Sequence, residues 1–492
     1  MPEFNLSKRR FLRAIPAAAI VPNIPGLPRE AFSAQYQRPN VVLICADDLG
    51  PGDPVFTDSN SISRHITGAK NYDYVRAGGG TIVSMPNLNR MAQEGARITQ
   101  FNAASPVCSP SRAALLTGRY PVRVGVTDVL FPGAGTGLPD SEITIARMLK
   151  SSGYKTMCVG KWHLGSLPQY LPTNHGFDEF FGLPYSHDMS PLPLMRNLDT
   201  IESPANLATL TPRYTDEAVR FIGRSKGSPF FLYLAHFLPH IPLISSEAFR
   251  GKSPLGPYGD ALAEIDWSIG QILDALSAHG LDQNTLVIFT SDHGPWYMGS
   301  SGNLRGRKGE TFEGGVRVPF IARFPGQIPK SLVNQGAASN MDILPTIARI
   351  CGASLPQTHL DGIDIWPLLT GGSEDTTREA LLYFDCSHLQ CARMGAWKLH
   401  VARYNTVVYG PVPACGRLNL PLPKPELYNL EADPGERYDL ADANPQIVAE
   451  ILHRIEALLP TFPEHVRTSW NNTMRLKVQD TPVGALPEIK SP

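Results

Sequence analysis

The chain has 492 residues, with 44 Lys and Arg against 45 Asp and Glu and a formal net charge of −1. That balance provides no basic surface for a polyanion and argues against nucleic-acid binding. At 42% hydrophobic and 18% charged residues the chain can bury a large core, and no apolar stretch approaches the ~20 residues that span a bilayer, so no transmembrane segment is expected.

Near the N-terminus, Ser7-Lys8-Arg9-Arg10-Phe11-Leu12-Arg13 precedes an Ala/Ile/Pro segment to about Leu27, followed by small residues at Ala31, Ser33 and Ala34. This order resembles a bacterial twin-arginine export signal, although the paired positions read Lys8-Arg9 and Pro16, Pro22 and Pro25 interrupt the apolar core. Residues 1–35 are therefore expected to be a leader and linker outside the fold, and the protein to be exported, to the periplasm or the medium.

Further along, Val41–Cys45, Lys155–Val159, Phe230–Leu234 and Leu286–Thr290 are short apolar runs of the kind that form parallel strands buried on both faces. Helical patterns lie between them: Pro86–Glu94, Glu142–Ser152 and Asp260–Ala278, each followed closely by glycine. Such alternation predicts an α/β fold whose mainly parallel sheet is covered on both faces. Each strand is followed by polar groups: Asp47 and Asp48, Lys161 and His163, His236 and His240, and Asp292 and His293. Ligand crevices form outside the carboxyl ends of such strands, so these groups are expected to converge. After Gly371-Gly372-Ser373 come strand-like runs Ala380–Phe384 and Trp397–Val401 and a helical pattern Pro445–Leu459, expected as a smaller α+β domain.

Seven cysteines leave at least one unpaired within the chain. Cys45 and Cys158 lie in apolar runs and read as buried, whereas Cys351, Cys386, Cys391 and Cys415 are possible disulfide partners, with Cys386 or Cys391 to Cys415 favoured. Cys108 is different. In Cys108-Ser109-Pro110-Ser111-Arg112-Ala113-Ala114-Leu115-Leu116-Thr117-Gly118-Arg119, Pro110 suits a first helical turn, which places Cys108 at a helix N-terminus that favours anions.

Cys-x-Pro-x-Arg followed by Ala-Ala-Leu-Leu-Thr-Gly-Arg resembles the signature of the sulfatase family. The resemblance continues through Ala46–Gly50, Pro86–Leu88, Gly160–Gly165, Pro184–Asp188, Thr290–Gly294 and Arg307–Gly315, and reappears in Glu426–Leu430 and Asp433–Glu436. The motif order looks most like the arylsulfatase branch. The resemblance implies a sulfatase or alkaline phosphatase-like α/β fold, a large mainly parallel mixed sheet sandwiched by helices, with a catalytic domain over residues 36–370. It is followed by a smaller C-terminal α+β domain over 371–475 and a tail over 476–492.

The activity implied is hydrolysis of a sulfate monoester, aryl or sugar, to an alcohol or phenol plus inorganic sulfate. In the family the cysteine is oxidised to formylglycine (3-oxoalanine), which implies that modification at Cys108 by a formylglycine-generating enzyme acting before folding. Carried over, the motifs assign a divalent metal to Asp47, Asp48, Asp292 and His293 beside residue 108. Ca²⁺ is expected from the carboxylates, with Mg²⁺ or Mn²⁺ as alternatives because His293 supplies nitrogen where some members have asparagine. Arg112, Lys161 and Lys308 add positive charge for the sulfate oxygens. His163 would serve the formylglycine hydroxyls with Asp48 assisting, Lys308 and His240 the leaving oxygen, and Ser186 the sulfate.

Two other readings stand beside this one: a phosphonate monoester or phosphodiester hydrolase of the same superfamily, and a protein that holds sulfated glycans without turnover. A serine hydrolase built on Ser186-His187-Asp188 is rejected, because adjacent residues do not form a triad. His187 and His236 are expected only as pocket wall.

Overall fold

A computed structural model describes residues 38–53, 84–406 and 418–476. The expected leader, the C-terminal tail from residue 477 and Cys415 lie outside the described residues, and with Cys415 the favoured disulfide.

Ten strands form the main sheet: β1 (Asn40–Ala46), β2 (Ala96–Asn102), β3 (Lys155–Lys161), β4 (Glu179–Leu183), β5 (Leu194–Arg196), β6 (Asp199–Glu202), β7 (Phe230–Ala235), β8 (Thr285–Ser291), β9 (Phe320–Arg323) and β10 (Leu332–Ser339). Their order is β10-β2-β9-β8-β1-β7-β3-β4-β5-β6. The block β8-β1-β7-β3-β4 is parallel throughout, whereas β9 runs antiparallel to both neighbours and β5 and β6 form an antiparallel edge. All four strands predicted from apolar runs lie in this block.

Alternate residues of β1 serve two separate cores. Val41, Leu43 and Cys45 join Cys158, Tyr233 and Ile288 and the helices Cys108–Thr117, Ile145–Ser151 and Ile343–Cys351. Val42 and Ile44 join Val159, Leu234 and Phe289 on the other face, under the helices Pro86–Gln93, Leu210–Arg224 and Gly256–Ala278. A strand apolar at every position therefore follows from burial on both faces. Residues 190–212 contain the β5–β6 edge and the first residues of the helix Leu210–Arg224. The predicted helix Glu142–Ser152 starts later, because Thr144 caps it by accepting from the Arg147 amide.

The C-terminal part is a four-stranded antiparallel sheet, β11 (Leu381–Asp385), β12 (His388–Met394), β13 (Trp397–Tyr404) and β14 (Asn419–Asn429). The helices Pro445–Leu458 and Glu464–Arg475 contribute Ile451, Ile455, Val466 and Trp470 to its core. Cys45 and Cys158 are buried, as expected.

Register sets the functional end of the main sheet. Ala46 pairs with Ser291, and Ala235 pairs with both Cys45 and Gly160, so Asp47 and Asp292 leave β1 and β8 at one level and Lys161 and His236 lie one residue below it. Gly160 makes that register possible: its φ is +104°, and an added Cβ would sit 1.8 Å from the Ala235 carbonyl oxygen. Gly160→Ala is expected to cost more than ~2 kcal/mol of stability in urea unfolding. Gly153 also has a positive φ, +83°, but open space around it, and Gly153→Ala is expected to cost only about 1 kcal/mol.

Candidate active site

The helix Cys108–Thr117 begins directly from extended backbone at Val107 and ends at left-handed Gly118, and all ten of its residues are buried. Its first residue faces the strand ends. Cys108 Sγ lies 3.2 Å from His293 Nε2 and 3.8 Å from Asp47 Oδ1.

Around it, three carboxylates meet three cations drawn from different elements. Lys161, the last residue of β3, donates from Nζ to Asp47 Oδ2 at 2.6 Å and to Ser186 Oγ at 3.0 Å. Arg112, one turn into the helix, donates through Nε and Nη2 to Asp292 Oδ2 at 3.1 and 2.9 Å and through Nη1 to the Lys161 carbonyl at 2.9 Å. Lys308 reaches both oxygens of Asp48 at 2.9 and 3.0 Å. Burial opposes the ionisation of Asp47, but Lys161 and Arg112 outweigh it and hold the carboxyl well below its ordinary range.

Two of these residues occupy left-handed backbone without being glycine: Asp48 at φ +65° and His163 at +61°. Each such residue costs on the order of 1–3 kcal/mol, so the surrounding contacts must impose the conformation. The Asp48 amide is held by Asp292 Oδ1 at 3.2 Å and the next amide, Leu49, by Ser291 Oγ at 2.9 Å. His163 Nε2 donates to the Leu130 carbonyl at 3.1 Å, and the Leu130 amide donates to Ser109 Oγ at 3.1 Å. Leu130 thereby ties His163 to the start of the Cys108 helix.

The structure brings every predicted site residue together except His236, whose ring is sealed from solvent with neither nitrogen hydrogen-bonded. Burial lowers its pKa to about 4, so it is neutral. His187 packs its ring 5.4 Å from that of His240 and donates to the Pro242 carbonyl at 3.0 Å. His240 Nε2 stands 3.8 Å from Asp48 Oδ2. Ser111 and Asn340 were not legible as site residues: Ser111 Oγ donates to the Asp292 carbonyl and accepts from Asn340 Nδ2 at 2.9 Å, fixing the Asp292 backbone.

One ligand atom each from Asp47, Cys108, Asp292 and His293 lies within 4.8 Å of the others, and Asp48, Cys108 and His240 form a second such group. The carboxylate-rich donor set fits a hard divalent cation. The imidazole reports the same anionic field: burial disfavours its charged form, yet Asp292 and then Cys108 raise the pKa of His293 to about 9.

The sulfatase family model matches residues 39–353, and a second, for the C-terminal region of aryl-sulfatase, matches residues 376–485. Arylsulfatase A of Bos taurus is 38% identical over 468 residues, covering 86% of this chain and 88% of that protein. Steryl-sulfatase of Homo sapiens is 33% identical over 561 residues, covering 90% and 92%. The crystal structure of PsFucS1 sulfatase from Pseudoalteromonas sp. matches with a TM-score of 0.74 at 29% identity, over 89% of this chain and 92% of that one.

With its pKa near 9, His293 carries a proton at neutral pH in the chain that retains the Cys108 thiol, and a cation binding there must displace it. Affinity of that protein for a divalent cation at this cluster is expected to rise with pH and level off above about 9, with release of a proton below that pH. Titration calorimetry in buffers of different ionisation enthalpy measures the release, and His293→Asn should remove it.

Proposed function

The chain belongs to the sulfatase family, and on that premise we propose that it hydrolyses an aryl or sugar sulfate monoester through a formylglycine formed from Cys108. The observation that carries this reading is the enclosure of residue 108 by Arg112, Lys161 and Lys308 beside the Asp47, Asp48, Asp292 and His293 donor set. A sulfate ester is an anion that repels nucleophiles, and fixed positive charge in a water-poor pocket offsets that repulsion. Relatives named arylsulfatase and steryl-sulfatase match 86% and 90% of the chain, which supports the same bond as target.

Formylglycine would supply two hydroxyls on one carbon, so that sulfate can be both captured and expelled. A divalent cation, taken here as Ca²⁺, would be held by Asp47, Asp48, Asp292 and His293 and would add charge facing the sulfate oxygens. The remaining roles belong to the chain's own side chains. Lys161 and Ser186, 3.0 Å apart, present an N–H and an O–H donor to the sulfate. Arg112 couples Asp292 to the end of β3 and keeps the first helical turn aimed at the ester.

His163 donates through Nε2 to Leu130, which leaves Nδ1, without a partner, as its basic nitrogen. Burial, with Lys161 and Arg112 nearby, holds its pKa well below the ordinary histidine value, so it enters neutral and can take a proton. Burial and then Lys308 depress His240 similarly, which assigns proton donation to the leaving oxygen to Lys308, with His240 binding beside it. Residues 36–370 form the catalytic domain in this reading and 371–475 the C-terminal one.

Among the described residues no helix is long and apolar enough to cross a membrane. Export is proposed to use the leader, with formylglycine-generating enzyme acting first, in the cytoplasm. Changing Arg9 and Arg10 to Lys should strand modified protein inside cells, and equal export would refute the twin-arginine assignment.

Protein from its native host, digested under reducing conditions, should yield a peptide bearing an aldehyde at position 108. Cys108→Ala should reduce turnover of 4-nitrophenyl sulfate at least ~10³-fold. Faster hydrolysis of bis(4-nitrophenyl) phosphate than of the sulfate would overturn the sulfatase reading.

A further inference from the structure

Lys308 must hold its ammonium over Asp48 from a long connection between β8 and β9 whose only helix is the single turn Glu313–Val316. On one side the connection is tied to the site itself: the Lys308 amide donates to the Pro295 carbonyl at 3.0 Å and the Gly309 amide to the Pro106 carbonyl at 2.8 Å. On the other side its anchors come from the C-terminal sheet. Thr311 Oγ1 donates to Gln390 Oε1 at 2.9 Å, and Phe312 stacks on His400 with ring centres 4.7 Å apart. Lys398 Nζ donates to the Thr311 carbonyl at 2.8 Å and to Glu313 Oε1 at 2.9 Å. Glu436 accepts from the Glu313 amide and from His400 Nε2, both at 2.6 Å, and lies 3.3 Å from Lys398 Nζ.

The Lys398, Glu313 and Glu436 side chains have no exposed surface. Burying an ionic cluster costs more than burying apolar groups of the same size, so the cluster is a poor way merely to hold two parts of a protein together. What it does that an apolar contact does not is fix backbone atoms: a carbonyl at position 311 and an amide at 313, three and five residues from Lys308. Glu436 itself sits in left-handed backbone at φ +52°, as Asp48 and His163 do.

We propose that Lys398, braced by Glu313 and Glu436, is a positioning residue that sets Lys308 over Asp48, which makes the C-terminal sheet part of the machinery of the reaction. The inference rests on the reading above in which Lys308 meets the leaving oxygen. It predicts a dependence on the leaving group, because an ill-placed ammonium matters most when the departing alkoxide is basic.

The test uses full-length, metal-loaded, modified enzyme and steady-state kinetics on 4-nitrophenyl sulfate and on a phenyl sulfate with a poorer leaving group. Lys398→Met should lower kcat about tenfold or more with KM changed less than about threefold, and the loss should be larger for the poorer leaving group. Combined with Lys308→Ala, it should cause no further loss in kcat, since the group it positions is gone. Thr311→Val, which removes one tether and leaves the ionic cluster intact, should give a smaller loss with the same non-additivity, and carries the test if Lys398→Met does not fold.

Equal proportional losses in the presence and absence of Lys308 would show general destabilisation and overturn the proposal. Wild-type enzyme inactive on every sulfate ester would sink the sulfatase reading, and this inference with it. Active wild type with a leaving-group dependence unchanged by Lys308→Ala would refute the role of Lys308 and overturn this inference, while leaving the sulfatase reading intact.

Discussion

Three carboxylates and three cations are confined where almost no water reaches them, and the architecture follows from the need to keep each one paired. Asp47, Asp292, Arg112 and Lys161 have no exposed side-chain surface, and Asp48 and Lys308 have nearly none. Removing one partner would leave an uncompensated buried charge, a loss of roughly 3–5 kcal/mol. Because the partners come from β1, β3, β8, the helix Cys108–Thr117 and the β8–β9 connection, the pairing requires the strands to end in register.

That dependence explains what could be read from the sequence. The runs at Val41, Lys155, Phe230 and Leu286 were legible because strands covered on both faces are largely apolar, and Asp47, Asp48, Lys161, His163, His240, Asp292 and His293 were legible because they follow those runs, whereas Cys108, Arg112, Ser186 and Lys308 were legible only through the family resemblance. β2, with the sequence Ala-Arg-Ile-Thr-Gln-Phe-Asn, was not: it lies one strand in from the sheet edge, has partly exposed polar positions and carries no continuous apolar signal. The β5–β6 edge was missed for a similar reason, since β6 is mostly exposed. The Ser111–Asn340 bond and the Lys398 cluster join residues far apart in the chain, and nothing local marks either end.

Backbone conformation adds a layer that composition does not reveal. Among the described non-glycine residues, six have positive φ, and Asp48, His163 and Glu436 are three of them. Each is held by hydrogen bonds from another element: Asp48 by Asp292, His163 by Leu130, Glu436 by Glu313 and His400. Strain sits where side chains must be aimed, and the stability that tolerates it comes from the two cores flanking the sheet.

The burial of the helix that carries Cys108 has a consequence in time. Cys108 is 2% exposed and no residue of its helix is accessible, so a protein-sized catalyst that must grip the surrounding chain cannot reach this side chain once the sheet has closed over it. If position 108 is modified as proposed, the step must precede closure of the fold, and any chain that folds first would keep its thiol, so the modified fraction of a sample would record a race in the cell between one enzyme and the folding chain.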